Sequence, residues 1–156
     1  MTVVTELSIA ESWTYQVLLA DATMQTLAGG QLETRLWPGI APAGTPEPYV
    51  IVAYQGARDV NALGNGLARI LSRPEYQVVA MGPAIALGAL DPWAARIDEL
   101  LHGKSGTLLD DPPGLEVLGH VYSCIRIRPF TLPEAVEGKQ YRRLGGIYRY
   151  EIQKGA

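Results

Sequence analysis

Glycine and proline limit what this chain can build. The seventeen glycines and eleven prolines fall in clusters, and each cluster interrupts regular structure. Gly29-Gly30, Pro38-Gly39, the proline-rich link from Ala41 to Pro48, Gly64-Asn65-Gly66, Gly82-Pro83, Gly103, Pro112-Pro113 and Gly138 are the joints. A membrane span is not expected: the longest apolar stretch, Val78 to Leu90, is cut by Gly82, Pro83 and Gly88 and is too short to cross a bilayer. The 156 residues are 47% hydrophobic and 19% charged, too apolar for disorder and enough to bury a core without a metal or disulfide. The expectation is one domain over residues 1–156.

Ser8-Ile9-Ala10-Glu11 has capping-box spacing, which predicts a helix from about Ile9 to Ala28 ended by Gly29-Gly30. Trp13, Val17, Ala20, Met24 and Leu27 repeat at steps of four and three, so one stripe faces the core. Truncation of Trp13 to alanine should cost about 3–5 kcal/mol. Glu33 to Trp37 reads as a short strand closed by Pro38-Gly39, and Ala41 to Pro48 as a loop. Tyr49 to Tyr54 is apolar on both alternating faces and reads as a central strand. Residues 57–73 read as a projecting hairpin arm, returning as a strand from Arg69 to Met81 with Pro74 at a bulge or edge. Asp91-Pro92-Trp93 is a helix start, and Trp93, Ile97, Leu100 and Leu101 its buried face, ending at Gly103. Leu115 to Arg128 and Tyr141 to Gln153 read as two strands joined by a loop over 129–140. The order predicts an α+β fold: a mainly antiparallel sheet of four to five strands, packed by two helices, with a long projecting β-hairpin arm.

Motifs for chemistry are scarce. Gly103-Lys104-Ser105-Gly106 lacks the first phosphate-loop glycine, since Asp98 stands there, and it follows a helix instead of opening one. No G-x-S-x-G occurs. His120 and Cys124, four apart on a predicted strand, share a face in that reading and with Glu116 would form a thin metal or thiol–imidazole site; a buried cysteine beside an ordinary histidine is the simpler account. Thirteen Lys and Arg against sixteen Asp and Glu give a net charge of -3, the wrong sign for a protein that coats nucleic acid. Arg126 and Arg128 are placed on one strand face with Ile125 and Ile127 on the other, and Arg142, Arg143 and Arg149 add charge to the last strand. Intersubunit ion pairs suit this basic face better than nucleic acid. Cys124 has no partner for an intrachain disulfide, and Met1 to Glu6 lacks the pattern of a signal peptide, which places synthesis in a reducing cytoplasm.

In its order of segments the sequence resembles the tail-completion proteins of the tail-terminator type in siphophages. Thr34-Arg35-Leu36-Trp37-Pro38-Gly39, Pro48-Tyr49-Val50-Ile51-Val52 and Ser72-Arg73-Pro74-Glu75-Tyr76-Gln77-Val78-Val79 carry the first half of the likeness. Ala95 to Gly103, Arg128-Pro129-Phe130-Thr131-Leu132-Pro133-Glu134 and Gln140 to Arg149 carry the second. The resemblance implies a non-enzymatic virion protein with no cofactor, metal or membrane. It implies a homo-oligomeric ring, a hexamer, that caps the head-proximal end of the tail tube, ends tube polymerisation and meets the head–tail connector or stopper protein. DNA would pass through the lumen without specific binding. The same fold also serves related neck and minor tail proteins. In that setting Arg58, Asp59, Arg69, Arg73, Arg126, Arg128, Tyr141, Arg142 and Arg143 are the candidates for subunit or tube contact.

Overall fold

The computed structural model describes residues 5–61, 69–83, 87–109 and 116–154. The Gly64-Asn65-Gly66 tip and Pro112-Pro113 lie outside them. The first helix, α1 (Glu6–Leu19), is capped one turn earlier than the sequence spacing suggests. Thr5 is the N-cap: its hydroxyl accepts from the Ser8 amide at 3.2 Å, while the Ser8 hydroxyl oxygen accepts from the Thr5 amide at 3.0 Å. Ser8 is thus the third helical residue of a reciprocal box, not its cap. Nor does the helix run on to Ala28. Asp21 accepts from the Met24 amide at 2.8 Å and starts a separate six-residue helix, α2 (Ala22–Leu27). The break rotates Ala20 to the surface, whereas Trp13 and Met24 remain buried.

Leu32–Thr34 forms a single 3-10 turn where a strand is predicted, and only Leu36–Pro38 pairs as β1. β2 (Tyr49–Asn61) and β3 (Arg69–Pro83) form the long hairpin, paired from Tyr49 opposite Met81 to Asn61 opposite Arg69 with register shifts between Tyr54 and Gly56 and between Val60 and Asn61. The base of the predicted arm therefore lies within the sheet. Helix α3 (Leu87–Leu101) starts four residues before Asp91 and holds Pro92 in its interior. It buries Leu90, Trp93, Ile97 and Leu101 and ends at Gly103, whose φ of +73° suits a residue without a Cβ. A strand missed in the sequence, β4 (Lys104–Leu109), follows at once.

β5 (Val117–Val136) and β6 (Lys139–Lys154) form one continuous hairpin around Glu137-Gly138, both at positive φ. The loop expected over 129–140 is thus strand. Pro129 and Pro133 stand four apart, so they present the same backbone edge. β4 pairs β5 only from Val117 to Cys124, so no strand on that side needs their missing donors.

Among the described residues the sheet has six strands in the order β1-β2-β3-β6-β5-β4, larger than the four to five predicted, and three α-helices stand where two were expected. β1 runs parallel to β2; every other pair is antiparallel. Tyr49 to Tyr54 belongs to the second strand of the order, paired on both sides at Val50, Ile51 and Val52, which are buried on both faces. The fold is α+β. Helices α1 and α3 cover one sheet face and enclose the main core, in which Trp13, Tyr76 and Tyr150 meet edge to face at 5.9–6.1 Å. Ile51, Val79 and Ile147 are buried on the opposite face, which carries no helix.

Candidate assembly surfaces

Two single-residue bulges in β5 decide which side chains can act together. Cys124 and Val121 face Tyr150 and Ile152, so β5 spends three residues where β6 spends two, and Tyr122 is the extra one. His120 and Cys124 are thereby turned to opposite faces. Cys124 is fully buried against Tyr150, and burial pushes its thiol up to about 12. His120 stacks on Tyr122 on the far side. The metal or thiol–imidazole site of the sequence reading is not formed. Among the described residues no group of three His, Cys, Asp or Glu side chains converges as metal ligands, and a thiol at that pKa is a poor nucleophile near neutrality.

The second bulge is Ile127, because Arg126 and Arg128 stand opposite the adjacent residues Tyr148 and Ile147. The arginines therefore point to opposite faces, which corrects the shared basic face of the sequence reading. Arg126 turns to the helix layer and meets Asp98 at 3.4 Å, and Asp98 also accepts from the Tyr148 hydroxyl at 3.0 Å. Burial and that carboxylate raise the Tyr148 hydroxyl well above its ordinary range.

The helix-free face carries a ladder of ion pairs across three strands. Arg73 reaches Glu151 at 2.7 Å and Arg149 reaches Glu75 at 2.7 Å, while the Ser123 hydroxyl donates to Glu151 at 3.3 Å. Ile125 and Ile127 lie beside these pairs in a groove of about 280 Å³. Together with Tyr122 and Leu132 they leave a row of large apolar side chains in water along β5. A second groove, of about 470 Å³, lies between the proline-rich link and the tip of the β5–β6 hairpin, with Glu47, Tyr49, Met81, Lys139 and Tyr141 in its wall. Neither holds convergent groups suited to bond-making chemistry.

The nine predicted contact residues divide between opposite ends of the sheet. Arg58, Asp59, Arg69 and Arg73 sit at the arm, where Arg69 bridges Glu6 of α1 at 2.7 Å and Asp59 at 3.6 Å. Tyr141, Arg142 and Arg143 sit at the β5–β6 tip, where Arg143 is held by Glu134 at 2.9 Å. Arg126 and Arg128 lie between these clusters on their two faces. Most of these cations therefore have partners within their own subunit. The sequence reading missed the exposed Tyr122 and β4; the alternation Val121-Tyr122-Ser123-Cys124-Ile125 suggests a regular strand, and only the pairing shows the bulges.

The fold has a precedent. A solved chain described as "Virion of native gene transfer agent (GTA) particle" superposes with a TM-score of 0.61 and 16% identity, covering 96% of this chain and 98% of that one. The likeness is one of fold, end to end. No family model matches the sequence, and no curated protein matches it.

Proposed function

We propose that this chain is a structural subunit of a phage-like virion and acts in the tail. In this reading it forms a ring, a homohexamer, on the head-proximal end of the tail tube, ends tube polymerisation and presents its other side to the head–tail connector or stopper protein. DNA passes through the lumen without specific binding. The chain is built into the neck of the virion after assembly in the host cytoplasm and performs no catalysis. The observation that carries the reading is the whole-length match of fold to a chain of a virion particle. The exposed apolar row on the helix-free sheet face supports it, because apolar side chains left in water on a small domain mark contact surfaces.

The test is removal of the chain from a particle-producing cell, followed by electron microscopy. The expected result is tails of uncontrolled length that are not joined to heads, restored by supplying the chain. Length-defined, head-joined tails in its absence would overturn the reading. Length-defined tails that fail only in joining would assign the chain to another neck or minor tail position of the same fold.

A further inference from the structure

The sheet ends in two bare edges. β1 covers β2 only at Val50, Ile51 and Val52, where Leu36, Trp37 and Pro38 lie alongside, with a last bond from the Gly39 amide to the Val52 carbonyl. From Ala53 to Asn61 the outer edge of β2 has no strand beside it among the described residues. At the other end of the sheet the outer edge of β4 is likewise open among the described residues. Unpaired edges of this length are templates for another strand, and charged side chains keep them soluble while they wait. Here the charged Arg58 and Asp59 on β2 and Lys104 on β4 serve that purpose, all of them exposed.

The register shows that the two edges match. Gly106 of β4 stands opposite Val121, Val121 opposite Ile152, Ile152 opposite Ser72, and Ser72 opposite Asp59. One row thus crosses the whole sheet from Gly106 to Asp59, and β4 lies level with the part of β2 that β1 leaves bare. The strands also agree in direction: four successive antiparallel pairings from β2 through β3, β6 and β5 bring β4 back parallel to β2. A copy of the chain that sets its β4 beside the bare β2 edge of its neighbour, with Gly106 level with Asp59, would pair with it in parallel. Such a contact is head-to-tail, the kind that closes a ring. A twofold dimer would instead need β2 against β2 or β4 against β4, antiparallel.

Charge fits the same arrangement. Asp59 shares its row with Ile152 and Val121 of the main core, so it projects on the helix-bearing side. Lys104 stands opposite the core residue Cys124 and projects on that side too. In a parallel pair that sets Gly106 level with Asp59, Lys104 is two residues away on the same face, about 7 Å along the strand and within reach of a lysine side chain. Lys104 makes no ion pair among the described residues.

We propose that the subunits join by edge-strand pairing, β4 of one copy adding in parallel to residues 57–61 of β2 in the next, with Lys104 reaching diagonally to Asp59 across the seam. This rests on the ring reading and specifies its interface. The test uses the full chain assembled alone at high concentration or on tail tubes. Zero-length carbodiimide cross-linking of a mixture of isotope-labelled and unlabelled copies should join Lys104 to Asp59 between copies. Amide exchange in β4 and in residues 57–61 should slow by about tenfold or more on assembly. Lys104→Asp and Asp59→Lys should each weaken assembly, and the double exchange should restore it, with each variant's unfolding midpoint reporting the fold separately. Rings whose two edges exchange as fast as in free subunits, or whose β4 cross-links only to β4, overturn the pairing and leave the tail reading intact. Absence of any ring, alone or on tubes, overturns the ring reading and the pairing with it. Protection by tube protein in place of a second copy also overturns the pairing.

Discussion

At the scale of single residues, the sheet depends on places where a side chain has no room. A Cβ on Gly145 would run into the Val78 carbonyl oxygen and stand 2.8 Å from the Val79 Cα, both of them backbone that cannot step aside. Gly145→Ala should therefore cost at least about 1–3 kcal/mol in urea unfolding, the range for overpacking. An unchanged midpoint would show that β3 and β6 are farther apart than described. Gly106 is tight for another reason: a Cβ there would lie 2.5 Å from Nε1 of Trp13, so α1 packs directly on the β4 backbone. Cys124 makes the complementary point about chemistry. Its thiol is fully buried and raised to about 12 by desolvation, with the Tyr150 hydroxyl beside it. A thiol so held should resist iodoacetamide at pH 8 in the native protein and react at the normal rate in denaturant. Rapid native alkylation, followed by mass spectrometry, would revive a reactive role for this residue.

At the scale of elements, the junction of α1 and α2 shows one carboxylate holding several parts in place. Asp21 caps α2 through the Met24 amide and accepts two bonds from Arg96 of α3, at 2.6 and 3.1 Å. Arg96 holds this carboxyl below the ordinary aspartate range. A folded-state value below the unfolded value near 3.9 stabilises the fold above that pH, and the gain is lost as pH falls through the lower folded value. Asp21→Asn, which keeps a capping oxygen, should thus be less stable than the parent at pH 7 and approach it below about pH 4. Asp21→Ala should lose about a further 1 kcal/mol at all pH values, because the cap is gone. Urea titrations across pH read both effects, and a gap independent of pH would remove the charged pair from the account. The same junction shows what could be read in advance. The stripe Trp13, Val17, Met24 and the glycine stop were visible as periodicity, but the break was not, since the spacing alone does not show that Asp21 caps a new helix and meets Arg96, 75 positions away. Likewise the buried face of α3 was legible from Trp93, Ile97 and Leu101, whereas its start was not: Pro92 reads as a first-turn residue, yet Leu87 begins the helix. The bulges at Tyr122 and Ile127 were out of reach, because a strand's alternation does not reveal which residue its partner skips. They separated His120 from Cys124 and Arg126 from Arg128, so the candidate site was the least legible part.

At the scale of the whole molecule, charge separates a conduit for DNA from a protein that grips it. The chain carries thirteen Lys and Arg. Six of its arginines, Arg69, Arg73, Arg96, Arg126, Arg143 and Arg149, are paired with carboxylates of the same subunit. A phosphate could recruit such an arginine only by displacing its carboxylate, so these six contribute little to the release of counterions that drives binding to duplex DNA. The exposed pairs contribute little to stability, about 0–1 kcal/mol each, but they neutralise the face on which they stand. With an excess of three negative charges over the chain, long-range attraction to DNA has the wrong sign as well. A labelled duplex titrated with the assembled protein at about 0.1 M salt should therefore show no binding by fluorescence anisotropy. Glu75→Gln together with Glu151→Gln, which frees Arg149 and Arg73, should introduce weak binding that fades steeply as salt rises. Tight, salt-sensitive binding by the unaltered protein would mean that the cations are available after all, and would count against the proposed passage of DNA without specific binding.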